Sequence, residues 1–141
     1  MNVLIDASIW SLAFRRATPQ DDPNVLELRR LIDELRVVML GPIRQETLSG
    51  ISEPSRFDAL RHRLRAFPDR VIGDQVYERA AEFFNMCRRN GVQGSNTDFL
   101  ICAVAVEYDL AIFTTDLDFQ QYRTYIPVSY THLTLPTNRE V

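Results

Sequence analysis

The chain contains no lysine: all sixteen of its cationic side chains are arginine, in a total of 141 residues. Its formal net charge is -3, so it is not a protein coated in positive charge for unselective contact with nucleic acid or membrane. It has two cysteines, Cys87 and Cys102, in apolar helical patterns without metal-ligand spacing. That excludes a disulfide framework and a thiolate zinc site, and predicts reduced core thiols in a cytosolic protein. The two histidines, His62 and His132, have no acid or serine at motif spacing, and no catalysis is assigned to them. No apolar run is long enough to cross a membrane, and no signal peptide precedes the first apolar stretch. The expectation is a cytoplasmic protein with no membrane partner. There is no internal repeat and no linker.

What is present is one domain's worth of chain, long enough to bury a core without staples. It is organised around Val3-Leu4-Ile5-Asp6-Ala7-Ser8, an apolar run ending abruptly in a carboxylate. Such a run suits a strand covered on both faces, here Asn2 to Ile5. The pattern returns at Leu110-Ala111-Ile112-Phe113-Thr114-Thr115-Asp116. Between them, helices are expected over Ala7–Phe14, Asn24–Leu35, from Pro42 to near Gly50, from Pro54 to Pro68, and Gln75–Asn90 capped by Asp74. A last helix, Asp98 to Val106, is apolar nearly all round and should be buried. Asn96 or Thr97 is placed to cap it. Val37–Leu40 reads as a strand, Val71–Ile72 as a short extended piece, and Tyr125–Val128 as an edge strand that tolerates Pro127. Strands alternating with helices predict an α/β fold, a parallel sheet with helices on both faces. Residues 1–128 form the expected domain. Ser129 to Val141 turns Thr-rich and aperiodic, resembles a translated adaptor, and is set aside as a non-native or flexible tail.

Four acids stand out by position. Asp6 and Asp116 end strands, Asp98 opens the buried helix, and Glu46 lies one turn into the helix after the second strand. In a parallel sheet such transitions share one edge, so the four carboxylates can converge in one cleft. Gathered there they repel one another, and a divalent cation removes that cost. An all-oxygen donor set points to Mg2+ or Mn2+. The implied chemistry is phosphodiester hydrolysis by a metal-activated water.

Leu4-Ile5-Asp6-Ala7-Ser8, Glu46 after Gly41-Pro42-Ile43, Thr97-Asp98-Phe99-Leu100-Ile101 and Thr114-Thr115-Asp116-Leu117-Asp118-Phe119 together resemble a PIN domain, most closely the VapC-like toxins of bacterial toxin–antitoxin pairs. The resemblance covers Met1 to about Val128. It implies a three-layer α/β/α sandwich with a mainly parallel central sheet, and a metal-dependent endoribonuclease acting on RNA. It places Asp6, Glu46, Asp98 and Asp116 at the catalytic positions, with Asp6, Asp98 and Asp116 on the metal and Glu46 completing the site. Ser8 and Thr115 match hydroxyl positions that can hold ligands or waters, and Asp118 is an extra acid nearby. The same resemblance implies a VapB-like antitoxin partner and a homodimer. An antitoxin segment placing an arginine near the carboxylates is a charge-complementary way to block metal.

Plainer readings compete residue by residue. Asp6 can simply cap a helix, Glu46 can be solvated, Ser8 and Thr115 can be local caps, and Asp118 can belong to a solvated turn. The arginines of the Pro54 helix, with Arg88 and Arg89, are a solvated face or an RNA-steering one. Trp10 and Phe14 belong to the core or a protein-binding surface. Two other functions fit less well. A phosphatase using a strand-end Asp nucleophile wants a second Asp where Ser8 stands, and a lysine. A non-catalytic PIN-like binding module does not need four intact acids.

Overall fold

In the computed structural model, which describes residues 1–131, the three most apolar stretches form the centre. Strand β1 (Val3–Ile5) pairs in parallel with β2 (Val37–Val38) on one side and β3 (Ala111–Phe113) on the other. Strand β4 (Ser129–Tyr130) adds to the far edge of β3, also in parallel, giving the order β2-β1-β3-β4. Every residue of β1 and β3 is buried. Parallel strands with no solvent face must be covered on both sides, and the helices do this.

Around the sheet lie α1 (Ala7–Phe14), α2 (Pro23–Asp33), α3 (Gly41–Leu48), α4 (Pro54–Leu64), α5 (Asp74–Arg89), α6 (Asn96–Glu107) and the short α7 (Asp118–Tyr122). Helix α6 buries Phe99 through Ala105 without a break, as its all-round apolar sequence requires. Trp10 is fully buried between Phe14, stacked at 6.1 Å, and Phe67 at 5.0 Å, so it is core. Cys87 and Cys102 are buried free thiols.

Helices α2, α5 and α6 end alike. The residue after each C-terminal turn is left-handed: Leu35 at φ 59°, Gly91 at φ 78° and Asp109 at φ 55°. The next N–H then reaches back to the carbonyl five residues earlier: Arg36 to Leu31, Val92 to Cys87 and Leu110 to Ala105. This closure satisfies orphan carbonyls and turns the chain sharply into the next segment. Only Gly91 adopts that conformation without a Cβ penalty.

Several sequence expectations move. Helix α4 ends at Leu64, short of Pro68, because turns through Phe67 replace its last bonds. The extended contact expected at Val71–Ile72 lies at Asp69, bridged to Met39. Asp74 lies in the first turn of α5 rather than capping it; the N-cap is Gly73 and makes no side-chain bond. Ser95, not Asn96 or Thr97, caps α6 by accepting from the Asp98 N–H at 3.1 Å. The edge strand expected at Tyr125–Val128 falls instead on Ser129–Tyr130, because Pro127 has no N–H to give a ladder and pairing starts beyond it. Strand β4 lies directly after Val128, the expected end of the domain. The tyrosine ring packs edge-on against Phe119 at 6.3 Å. The rest of the tail, with His132, lies outside the described residues.

Candidate metal centre

Strand β1 runs one way to β2 and the other way to β3 in the sheet order, so the crevice between the carboxyl ends of β1 and β3 is a topological switch point. Asp6 follows β1 directly, and Thr114, Thr115 and Asp116 follow β3. The Asp6 N–H is bonded to the Phe113 carbonyl at 3.0 Å, which ties the two strand ends together.

Asp6 occupies the N-cap position of α1, yet its side chain makes no capping bond. The carboxylate is only 6% exposed, and its Oδ2 accepts from Ser8 Oγ at 2.9 Å and Thr114 Oγ1 at 2.7 Å. Its charge is thus held by two hydroxyls rather than used to start the helix, which removes the plain capping reading. The hydroxyls are themselves anchored. Thr114 Oγ1 accepts from the Asp116 N–H at 2.9 Å, and Ser8 Oγ accepts from the Thr115 N–H at 3.2 Å.

Thr114 was not singled out from sequence. The expected hydroxyl was that of Thr115, which joins the network through its backbone N–H instead. Side chains alternate past a strand end. The residue on the Asp6 side is therefore the buried Thr114, and that alternation was the available signal.

Asp98, Asp116 and Asp118 each offer an oxygen within 4.8 Å of the others, a group that can hold a metal ion. Asp98 is positioned by the Ser95 cap, and Tyr122 donates to its Oδ2 at 2.7 Å. Asp116 Oδ1 accepts from the Asp118 N–H at 2.9 Å, a tight turn that brings Asp118 alongside. The structure thus joins Asp98 to Asp116, as the sequence suggests, and adds Asp118 in place of Asp6 within that group. Asp6 and Glu46 are outside it but share its field.

Burial pushes the Asp98 carboxyl above its ordinary value; the Tyr122 hydrogen bond opposes this, and the charges of Asp116 and Asp6 add to it. Glu46 stands exposed on α3, and its carboxyl is raised by desolvation, then by Asp6, Asp98 and Asp116 in turn. Asp98 and Glu46 are thus harder to ionise, through burial first and the neighbouring carboxylates after it. The donor set is all oxygen, which fits a hard divalent cation, and such an ion would relieve the mutual repulsion. Burial, and after it the Asp98 carboxylate, raises the Tyr122 phenol, which stays a donor.

Among the arginines of α4 and α5, Arg61 pairs with Asp58, Arg63 lies over the Phe14 ring at 4.5 Å, and Arg88 lies over Phe84 at 5.9 Å. These contacts suit a structural face as well as a recognition one.

Fold and site together define an α/β protein with carboxylates clustered at the switch point of a parallel sheet. The family model for the PIN domain matches residues 3–124. The chain is 32% identical over 121 residues to VapC ribonuclease Mb1587 of Mycobacterium bovis and equally to ribonuclease VapC11 of Mycobacterium tuberculosis, covering 83% of this chain and 88% of each relative. The chain belongs to the PIN-domain family, among its VapC-like members. Its fold is similar to those in the crystal structure of FitAcB from Neisseria gonorrhoeae and in VapBC-1 from nontypeable Haemophilus influenzae. For the first, the TM-score is 0.70 at 20% identity, covering 91% of this chain and 95% of that one. For the second, it is 0.70 at 15% identity, covering 95% and 99%.

Proposed function

We propose that this protein is a metal-dependent endoribonuclease and the toxin of a toxin–antitoxin pair. One observation carries the reading. Carboxylates from four separate parts of the chain, Asp6, Glu46, Asp98 and Asp116, lie close enough that the others add to the burial that raises Glu46 and Asp98, in a chain similar to VapC ribonucleases. A fold has no structural reason to gather such charge; an ion-binding site does.

Asp98 and Asp116 would hold Mg2+ or Mn2+, with Asp118 at the same ion and Asp6 contributing directly or through a water. When bound, such an ion supplies a water of lowered pKa and neutralises charge on a transferring phosphoryl group. The chain's own groups prepare this. Ser8 and Thr114 fix the Asp6 carboxylate in one orientation. Glu46, open to solvent beside the other acids, is placed to take a proton from an attacking water. RNA is the substrate on this reading. A VapB-like antitoxin and a second copy of this chain are the expected protein partners, in the cytoplasm; no helix among the described residues is long and apolar enough to cross a membrane.

The test is cleavage of a defined RNA by purified protein with Mn2+, with and without chelator, alongside Asp116→Asn. Metal-dependent cleavage lost in the variant supports the reading. Wild-type protein that cuts no RNA from a transcript pool at any Mn2+ or Mg2+ concentration overturns it, in favour of a binding module.

A further inference from the structure

We infer that Tyr122 is the positioning residue of the metal centre: its hydroxyl, seated against the backbone at Gly94, holds one oxygen of Asp98 and so fixes that carboxylate within the group it forms with Asp116 and Asp118. The inference rests on the metal site proposed above and goes beyond its acids.

Tyr122 is fully buried at the end of α7, the helix that begins at Asp118. Its hydroxyl crosses to α6 and donates to Asp98 Oδ2 at 2.7 Å. One side chain therefore spans the two chain segments that supply the acid group. The ring is fixed on three sides. Phe99, the residue after Asp98, meets it at 4.9 Å, and Phe119, the residue after Asp118, meets it edge-on at 5.1 Å. On the third side is Gly94, where a Cβ would come within 2.3 Å of the hydroxyl oxygen and 2.8 Å of Cζ. No side chain larger than hydrogen fits there while the tyrosine keeps its place. Gly94 has no left-handed φ to explain it, so the close approach is its reason.

The consequence for Asp98 is geometric. A carboxylate with one oxygen held by a rigid donor cannot rotate, and its second oxygen is presented in one direction. Partners of this kind commonly change metal affinity about 10- to 100-fold when removed.

The experiment titrates Mn2+ into the full chain and its variants, following the free-ion signal by electron paramagnetic resonance, with RNA cleavage measured at the same Mn2+ concentrations. Tyr122→Phe keeps the ring and its packing and removes only the donor. It is expected to weaken Mn2+ binding about tenfold or more. Its cleavage deficit should shrink as Mn2+ is raised. Gly94→Ala should weaken Mn2+ binding in the same direction by displacing the hydroxyl, and the double variant should lose less than the two single losses multiplied together. Wild-type affinity in Tyr122→Phe, while Asp98→Asn fails to bind, overturns the inference and leaves the metal centre standing. So does a cleavage deficit that is the same at every Mn2+ concentration, the mark of a merely structural role. No saturable Mn2+ binding by the wild type refutes the metal centre itself.

Discussion

Replacing Asp98 by asparagine should make the metal-free protein more stable while removing its activity. Asparagine keeps the shape of the side chain and can still accept from Tyr122, so the change is close to a deletion of one charge. That charge has neighbours in Asp116 and Asp118, with oxygens within 4.8 Å. At that separation one like-charge pair costs about 1 kcal/mol in water and about 3.5 kcal/mol at an effective dielectric constant of about 20. Asp118 is exposed and Asp98 half-buried, so the expected gain lies between these limits, about 1–3 kcal/mol. For a domain of this size that is roughly 3–10 °C in thermal midpoint.

The gain has a pH signature with a defined sign. Asp98 is raised above its ordinary value of 3.8, so the folded state binds its proton more tightly than the unfolded state does. The wild type therefore loses stability as pH rises through the folded pKa, and the variant does not. The advantage of Asp98→Asn should be full above the folded pKa and vanish below the ordinary value of 3.8. The assay is thermal unfolding in chelator at several pH values, repeated with Mn2+. With Mn2+ the order should reverse, because an ion bound to the wild type alone stabilises it. A variant less stable than the wild type in chelator at neutral pH would falsify the claim that these acids strain the fold.

Three further outcomes follow from the same geometry. Thr114→Val leaves the buried Asp6 oxygen with one hydroxyl fewer and the Asp116 N–H without its acceptor, and should cost about 1–3 kcal/mol by urea unfolding; an unchanged midpoint would mean the hydroxyl network is incidental. Glu46→Gln should raise stability in chelator, by less than Asp98→Asn since the side chain is exposed, and should remove from the pH profile of cleavage a limb that lies above the ordinary glutamate range; an unaltered pH profile removes Glu46 from proton transfer. Leu35→Asn, far from the acids in the chain, should stabilise the protein by about 0.5–1 kcal/mol, because leucine at φ 59° carries a steric penalty that asparagine relieves; an equal or lower thermal midpoint would show that the exposed leucine contributes packing instead.

The parts legible in the sequence were those written in continuous apolar runs. β1, β3 and α6 are buried on all sides, so their composition alone marks them, and the acids at their ends are marked by contrast. The edges of the sheet were harder. β2 and β4 have two residues each, and their limits are set by which neighbour they pair with, not by local pattern. Helix caps misplaced by one residue, as at Ser95, reflect a choice among adjacent polar residues that only backbone geometry decides. Within the site, Asp118 read as a solvated turn because its approach to Asp116 depends on one tight turn. Tyr122 was invisible because an aromatic in a short apolar helix is ordinarily core; its second role comes from an oxygen aimed across to another helix.

The bond between Thr114 and Asp6 joins residues 108 positions apart. Nothing shorter than nearly the whole domain can close it. A ribosome making this chain releases Asp6 long before Asp116 and Tyr122, so any partial product that stops short of α7 carries an incomplete set of acids. For a protein proposed to cut RNA, that order of emergence leaves the nascent chain without a complete acid group until β3 and α7 have followed β1 out.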